Sequence, residues 1–111
     1  MDRYSSLLKK RGIKENKISE IVNFAKKGNK EYKEKLFRYI YPKIYRFIYY
    51  RTNNKTEAED LTGDVILKIA KSLPRQKGNF NSWIYKIARN TLIDFYRRQS
   101  VRKSKMSVDE V

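Results

Sequence analysis

Apolar residues return every third or fourth position along most of this chain, and that period constrains its fold more than any other feature. From about Lys30 to Arg51 the recurring residues are Leu36, Phe37, Ile40, Ile44, Phe47 and Ile48, a helical pattern with a wide apolar face. Ala58, Leu61, Val65 and Ile69 repeat it, with Leu73 near the end of that segment. Ile84, Ile87, Ala88, Thr91, Leu92 and Phe95 repeat it again between Ser82 and about Arg98. A shorter run, ISEIVNFAKKG, places apolar residues at 18, 21, 22 and 25, with Gly28 positioned as a helix stop. No segment carries a strand signal and there are no internal repeats. The 111 residues suit one domain. The expected fold is all-α, a small bundle of about four helices.

Breakers and caps set the expected boundaries. Pro42 lies inside the second helix and is expected to kink it or split it near Tyr41. Arg51 to Lys55 reads as a turn. Thr56 with Glu59 three residues later reads as a capping box that opens the third helix, and Pro74 is expected to stop that helix. PRQKGNFN, residues 74–81, is then a loop before the fourth helix. Residues 1–17 are polar and basic and read as a flexible N-terminal arm, with at most a helical turn around Leu7 and Leu8. Residues 18–98 form the helical domain, and 99–111, without periodicity, read as a linker or tail.

Composition narrows the function. There is no cysteine, so a disulfide framework, a zinc knuckle and a thiol nucleophile are excluded. There is no histidine, the usual general base and commonest metal ligand. No apolar run approaches the roughly 18 residues of a membrane span, and MDRYSSLLKKRG has no signal-peptide core. The expectation is a cytoplasmic chain with no membrane partner, no cofactor and no bound metal. Lys and Arg number 27 against 12 Asp and Glu, a formal charge of +15. So strong a field on so small a body attracts polyanions, nucleic acid foremost, although a lysine-rich proteome could also raise the count.

The charge is not evenly spread. Glu57, Glu59, Asp60 and Asp64 fall in an eight-residue stretch without Lys or Arg. On an ideal helix, at about 100° per residue, Asp60, Gly63, Asp64, Leu67 and Lys71 lie opposite the apolar stripe. First-turn carboxylates also favour the helix dipole, by about 0.3–1 kcal/mol each, which accounts for Glu57, Glu59 and Asp60 without any partner. That term does not reach Asp64 or Leu67. Acids around an exposed leucine suit a protein-docking surface with a basic partner; plain solubility is the other reading.

The fourth helix has the opposite sign. Its outer face presents Ser82, Lys86, Arg89, Asn90, Ile93 and Arg97, flanked by Trp83, Tyr85 and Tyr96, with Asp94 the nearby acid. Cations that follow phosphates, interleaved with rings that stack on bases, suit single-stranded nucleic acid, stacking being worth roughly 1–3 kcal/mol per base. Taken singly, each ring could equally complete the bundle. The preceding loop adds Arg75, Gln76, Lys77, Gly78, Asn79, Phe80 and Asn81. Its amides and its glycine are what a pocket for an extruded base requires, and also what many surface loops contain.

In this order, LFRYIYPKIYRFIYYR, AEDLTGDVILKIAKSLP and GNFNSWIYKIARNTLIDFYRR resemble region 2 of the sigma-70 family of bacterial transcription initiation factors, nearest to the extracytoplasmic-function branch. The resemblance covers roughly residues 18–98; the Trp-centred run with IARN and its closing arginine pair is the most specific part, followed by AEDL. It implies two activities. Asp60 and Asp64, with Gly63 and Leu67, would dock on the clamp helices of the beta-prime subunit of core RNA polymerase. Gly63 stands where the family often has Gln, which removes one hydrogen-bonding side chain. Arg75, Lys77, Asn79, Phe80, Asn81, Trp83, Lys86, Arg89, Asn90 and Arg97 would capture the single-stranded non-template strand of the promoter −10 element, with one base flipped into the loop. An anti-sigma factor is a further partner of such a domain. The family's second domain, region 4, which reads the −35 element, has no counterpart after Arg98; either the chain is a fragment or a separate subunit supplies region 4.

Two other functions fit parts of the pattern. A sigma mimic or co-sigma would use the acidic face without opening DNA, though a charge of +15 is excessive for that task. A nuclease would use Glu59, Asp60 and Asp64 as metal ligands, but adjacent Glu59 and Asp60 point about 100° apart on a helix, poor geometry for sharing an ion.

Overall fold

The computed structural model describes the backbone of residues 17–109 and the side chains of residues 17–103. Apart from Lys17, the N-terminal arm expected over 1–17 lies outside the described residues. The described chain contains α1 (Ile18–Lys26), α2 (Lys30–Thr52), α3 (Lys55–Ser72), a 3-10 turn (Leu73–Arg75) and α4 (Phe80–Asp109), and no strand. This is the all-α bundle that the apolar period predicts.

Each junction is short and chemically defined. Gly28 at φ +94° ends α1, with its N–H donating to the Ala25 carbonyl at 3.0 Å. At this φ a side chain would be strained, so glycine is required by the backbone itself. Asn29 Oδ1 then accepts from the Tyr32 N–H at 3.2 Å and starts α2. At the far end Asn53 adopts the left-handed conformation, φ 51°, and its N–H reaches the Tyr49 carbonyl at 2.8 Å. Its neighbour Asn54 caps α3, with Oδ1 accepting from the Glu57 N–H at 3.0 Å. The expected Thr56 capping box is therefore corrected: the cap lies two residues earlier, and the turn between α2 and α3 shrinks to Asn53 and Asn54.

Pro42 does not split α2, which runs unbroken through it. Pro42 and Arg38 are both exposed, so water can serve the Arg38 carbonyl that loses its helical donor. Pro74 likewise sits inside the 3-10 turn after α3. The fourth helix begins earlier and ends later than its apolar stripe suggests. Asn79 caps it, with Oδ1 accepting from the Ser82 N–H at 2.9 Å, so Phe80 and Asn81 belong to its first turn. Beyond Arg98 the helix continues through Asp109. No Gly or Pro follows Gly78 in the sequence, so nothing local interrupts it.

The core is one cluster. Leu36, Ile40, Ile44 and Ile48 of α2 meet Ala58, Leu61, Val65 and Ile69 of α3, Leu73, and Ile84, Ala88 and Leu92 of α4; Ile21, Val22 and Ala25 of α1 close one end. Each fully buried Leu or Ile contributes about 1.5–3 kcal/mol of apolar transfer. Two threonines in this interior satisfy their hydroxyls within their own helices: Thr62 donates to the Ala58 carbonyl at 2.6 Å, and Thr91 to that of Ile87 at 2.8 Å. Among the described residues no buried side-chain nitrogen or oxygen lacks a partner.

Candidate functional site

Packing α3 between α2 and α4 buries one side of α3 and turns the other outward. Asp60 and Asp64 are exposed, and neither carboxylate has a hydrogen-bond or ion-pair partner among the described residues. Leu67, one turn beyond Asp64, keeps 62% of its surface in water, although Ile66 beside it packs on the core. Gly63 is half-buried, and a Cβ built on it would meet nothing within 4 Å. The result is an exposed leucine beside two unpaired carboxylates, on a helix whose backbone is fixed by burial of its opposite side. Among the described residues no three acids converge as ligands for a metal ion.

Helix α4 places Ser82, Lys86, Arg89, Asn90, Ile93 and Arg97 on its exposed side, and Ile93 is 47% exposed. The side chains of Lys86, Arg89, Asn90 and Arg97 form no hydrogen bond or ion pair among the described residues, which leaves their donors available. The flanking rings are more occupied. Trp83 is half-buried on the core and lies 5.9 Å from Phe80, and Tyr85 packs 5.3 Å from Phe47 of α2. Tyr96 is exposed, yet its hydroxyl donates to the Arg51 carbonyl at 3.0 Å, pinning α4 to the end of α2. Between the two faces, Lys68 Nζ of α3 donates to Thr91 Oγ1 of α4 at 3.0 Å.

The segment before α4 divides into exposed and internal groups. Arg75, Lys77 and Asn81 are exposed, and Phe80 is half-buried. Gln76 is 5% exposed; its Nε2 donates to the Gly78 carbonyl at 2.9 Å, so this amide serves the loop and not a solvent-side ligand. Asn79 Oδ1 is spent on capping α4. Gly78 has φ +79° and open space at its Cβ position, so the turn, not a close backbone approach, is what requires glycine there.

Two features escape sequence reasoning. One is the Gln76 arrangement, in which Lys26 Nζ from α1 also donates to the Gln76 carbonyl and lies 3.4 Å from its Oε1; nothing in a local pattern announces it. The other is a ladder on α2 in which Tyr41, Tyr45 and Tyr49 stack at 6.4 and 5.8 Å between centroids. Its signal is the four-residue spacing of the tyrosines.

An acidic, leucine-bearing helix is thus joined through a basic loop to a cationic, ring-flanked helix. The Sigma-70 region 2 family model matches residues 36–102, more than half of the sequence, and the chain belongs to that family. Within it the likeness is to the extracytoplasmic-function kind. The chain is 30% identical over 89 residues to the ECF RNA polymerase sigma factor BldN of Streptomyces coelicolor, covering 78% of this chain and 34% of that protein. It is 38% identical over 66 residues to the RNA polymerase sigma factor SigZ of Bacillus subtilis, covering 58% and 38%. With the RNA polymerase sigma factor YlaC of the same organism it shares 34% over 67 residues, covering 59% and 39%. The chain thus spans little more than a third of the length of these relatives. No solved structure matches it. No described helix is long and apolar enough to cross a membrane.

Proposed function

We propose that this chain is a promoter-opening domain in transcription initiation, one that holds core RNA polymerase with α3 and unpaired −10 DNA with α4. The relatives it resembles are named as RNA polymerase sigma factors, and residues 36–102 of this chain match the region 2 model. On α3, Asp60, Asp64 and Leu67 form the docking face, with Gly63 as the gap between them. The acids steer a basic partner and the leucine supplies apolar burial on contact. The beta-prime clamp helices are the partner of this face.

On α4 and the loop before it, Lys86, Arg89 and Arg97 hold phosphates of the non-template strand. Asn90 and Asn81 offer base contacts, and Arg75 and Lys77 border the place where an extruded base would lie. Phe80 and Trp83, in contact with each other, floor that place. Asn79 acts by capping the helix that carries them. Opening a duplex costs on the order of 1–2 kcal/mol per base-pair step in lost stacking. A domain lowers that cost only if it binds the unpaired state more tightly than the duplex. Lysines alone bind both states, whereas rings and amides beside the cations favour exposed bases.

The observation that carries the reading is the division of charge between two packed helices: unpaired carboxylates beside an exposed leucine on α3, unpaired cations beside rings on α4. It is tested by fluorescence anisotropy with labelled −10 oligonucleotides of the same sequence, single-stranded and duplex. The expected result is tighter binding of the single strand at equal salt. Equal affinity for both would reduce the basic face to a non-specific polyanion binder and favour a co-sigma that works through protein contacts alone.

A further inference from the structure

The loop assigned to base capture is held by a helix that lies outside the range matched by the family model. That range begins at residue 36, whereas α1 ends at Lys26. From the last turn of α1 the Lys26 ammonium donates to the backbone carbonyl of Gln76 and lies 3.4 Å from its side-chain oxygen. The same Gln76 side chain passes the constraint on, because its Nε2 donates to the Gly78 carbonyl at 2.9 Å. Lys26 is half-buried and Gln76 is 5% exposed, so both contacts are partly shielded from water. Apolar packing supports them: Ala25 is fully buried beside Lys26, and α1 rests on the 3-10 turn whose Leu73 is 1% exposed.

We infer that α1 is a strut, and that Lys26 is a positioning residue which fixes residues 76–78 in the conformation that presents Arg75 and Lys77 to the captured strand. This inference rests on the proposed function. A lysine in so basic a chain would ordinarily count toward phosphate binding. Here its ammonium is directed inward, at a carbonyl and an amide oxygen of one residue. Gln76 and Gly78 show why the link matters. Gly78 sits at φ +79°, and glycine backbones sample many conformations unless held. A loop ordered in advance gives up less entropy on binding than one ordered by its ligand.

The test compares the unmodified chain with Lys26→Met and Lys26→Arg. Methionine keeps the length and the apolar stem but removes the charge; arginine restores donors at that place. Thermal melting of both variants, followed by circular dichroism, establishes that they are folded. Anisotropy with the single-stranded −10 oligonucleotide then reads the effect. Lys26→Met is expected to bind about fivefold to tenfold more weakly, part of what a charge-assisted hydrogen bond contributes, because the freed loop can still adopt the ordered conformation on binding, and Lys26→Arg to recover most of it. The slope of log affinity against log salt should stay that of the unmodified chain. A lysine in direct contact with phosphate would instead lower it by about 0.7. Hydrogen exchange at residues 76–79 should quicken in Lys26→Met even without DNA.

Unchanged affinity and exchange in Lys26→Met would overturn the strut while leaving the capture reading intact. A lowered salt slope would overturn it too, making Lys26 a phosphate contact. If the unmodified chain shows no preference for single strands, the capture reading fails, and the inference that depends on it fails with it.

Discussion

Truncating Leu67 separates docking from folding more cleanly than any other single change. The side chain is 62% exposed although it lies on a helix whose other side is core. Fully burying a leucine contributes about 1.5–3 kcal/mol, so covering the exposed portion in a complex, less the methyl that alanine keeps, comes to about 1–1.5 kcal/mol. Leu67→Ala should therefore weaken association with core RNA polymerase roughly fivefold to tenfold. Leucine and alanine are both strong helix formers, and a surface change of this kind alters stability by less than about 0.5 kcal/mol. Leu61, 5% exposed on the same helix, provides the contrast. Leu61→Ala should destabilise the fold by about 2–5 kcal/mol, because it leaves a cavity between helices. Biolayer interferometry against immobilised core enzyme, with urea unfolding of each variant, reads both quantities. Polymerase affinity unaltered in Leu67→Ala would refute the docking face, since a ligand that covers this leucine must register its loss.

The remaining predictions concern charge and backbone. Asp64→Lys, and separately Asp60→Lys, should slow association with core enzyme and lower affinity by more than about tenfold at low salt, with the melting temperature little changed; both carboxylates are exposed and have no partner among the described residues. Replacing Lys86 and Arg89 together by Ala should reduce the salt slope of single-strand binding by about 1.4, two phosphate contacts at about 0.7 each, and an unaltered slope would move the strand elsewhere. Gly63→Ala should stabilise the chain by about 0.5–1 kcal/mol in a thermal melt, because Gly63 is helical and a Cβ there meets nothing within 4 Å.

What could be read in the sequence follows from the range of the interactions concerned. The apolar stripes of α2, α3 and α4 are local repetitions, and Leu36, Ile40, Ile44, Val65, Ile69, Ile84 and Ala88 are all buried as their spacing implies. The caps were ambiguous because two solutions lie side by side. Asn54 with Glu57 and Thr56 with Glu59 both carry a capping residue three positions before an acid, and the left-handed Asn53 decides for Asn54. At the start of α4 the apolar stripe suggests Ser82, whereas the Asn79 side chain caps the helix by accepting from the Ser82 N–H.

The site was legible where it is a helix face and illegible where it is a contact between distant segments. Asp60, Asp64 and Leu67 are exposed as the helical projection requires, and so are Lys86, Arg89, Asn90 and Arg97. Gln76 looked like a loop amide open to a base edge, yet it is buried, because α1 approaches from fifty residues earlier in the chain. The rings are divided between tasks. Tyr85 meets Phe47 and Tyr96 reaches the Arg51 carbonyl, pairings that no spacing within α4 could reveal.

The proposed division of labour depends on which helix touches which partner. A photoreactive benzoylphenylalanine placed at Lys71, on the outward side of α3, or at Ile93, among the cations of α4, reports this directly when the chain is irradiated with core polymerase and a single-stranded −10 oligonucleotide together. The probe at 71 should link to the beta-prime subunit and the probe at 93 to the oligonucleotide. Nucleotide captured at 71, or nothing but protein captured at 93, would contradict the account.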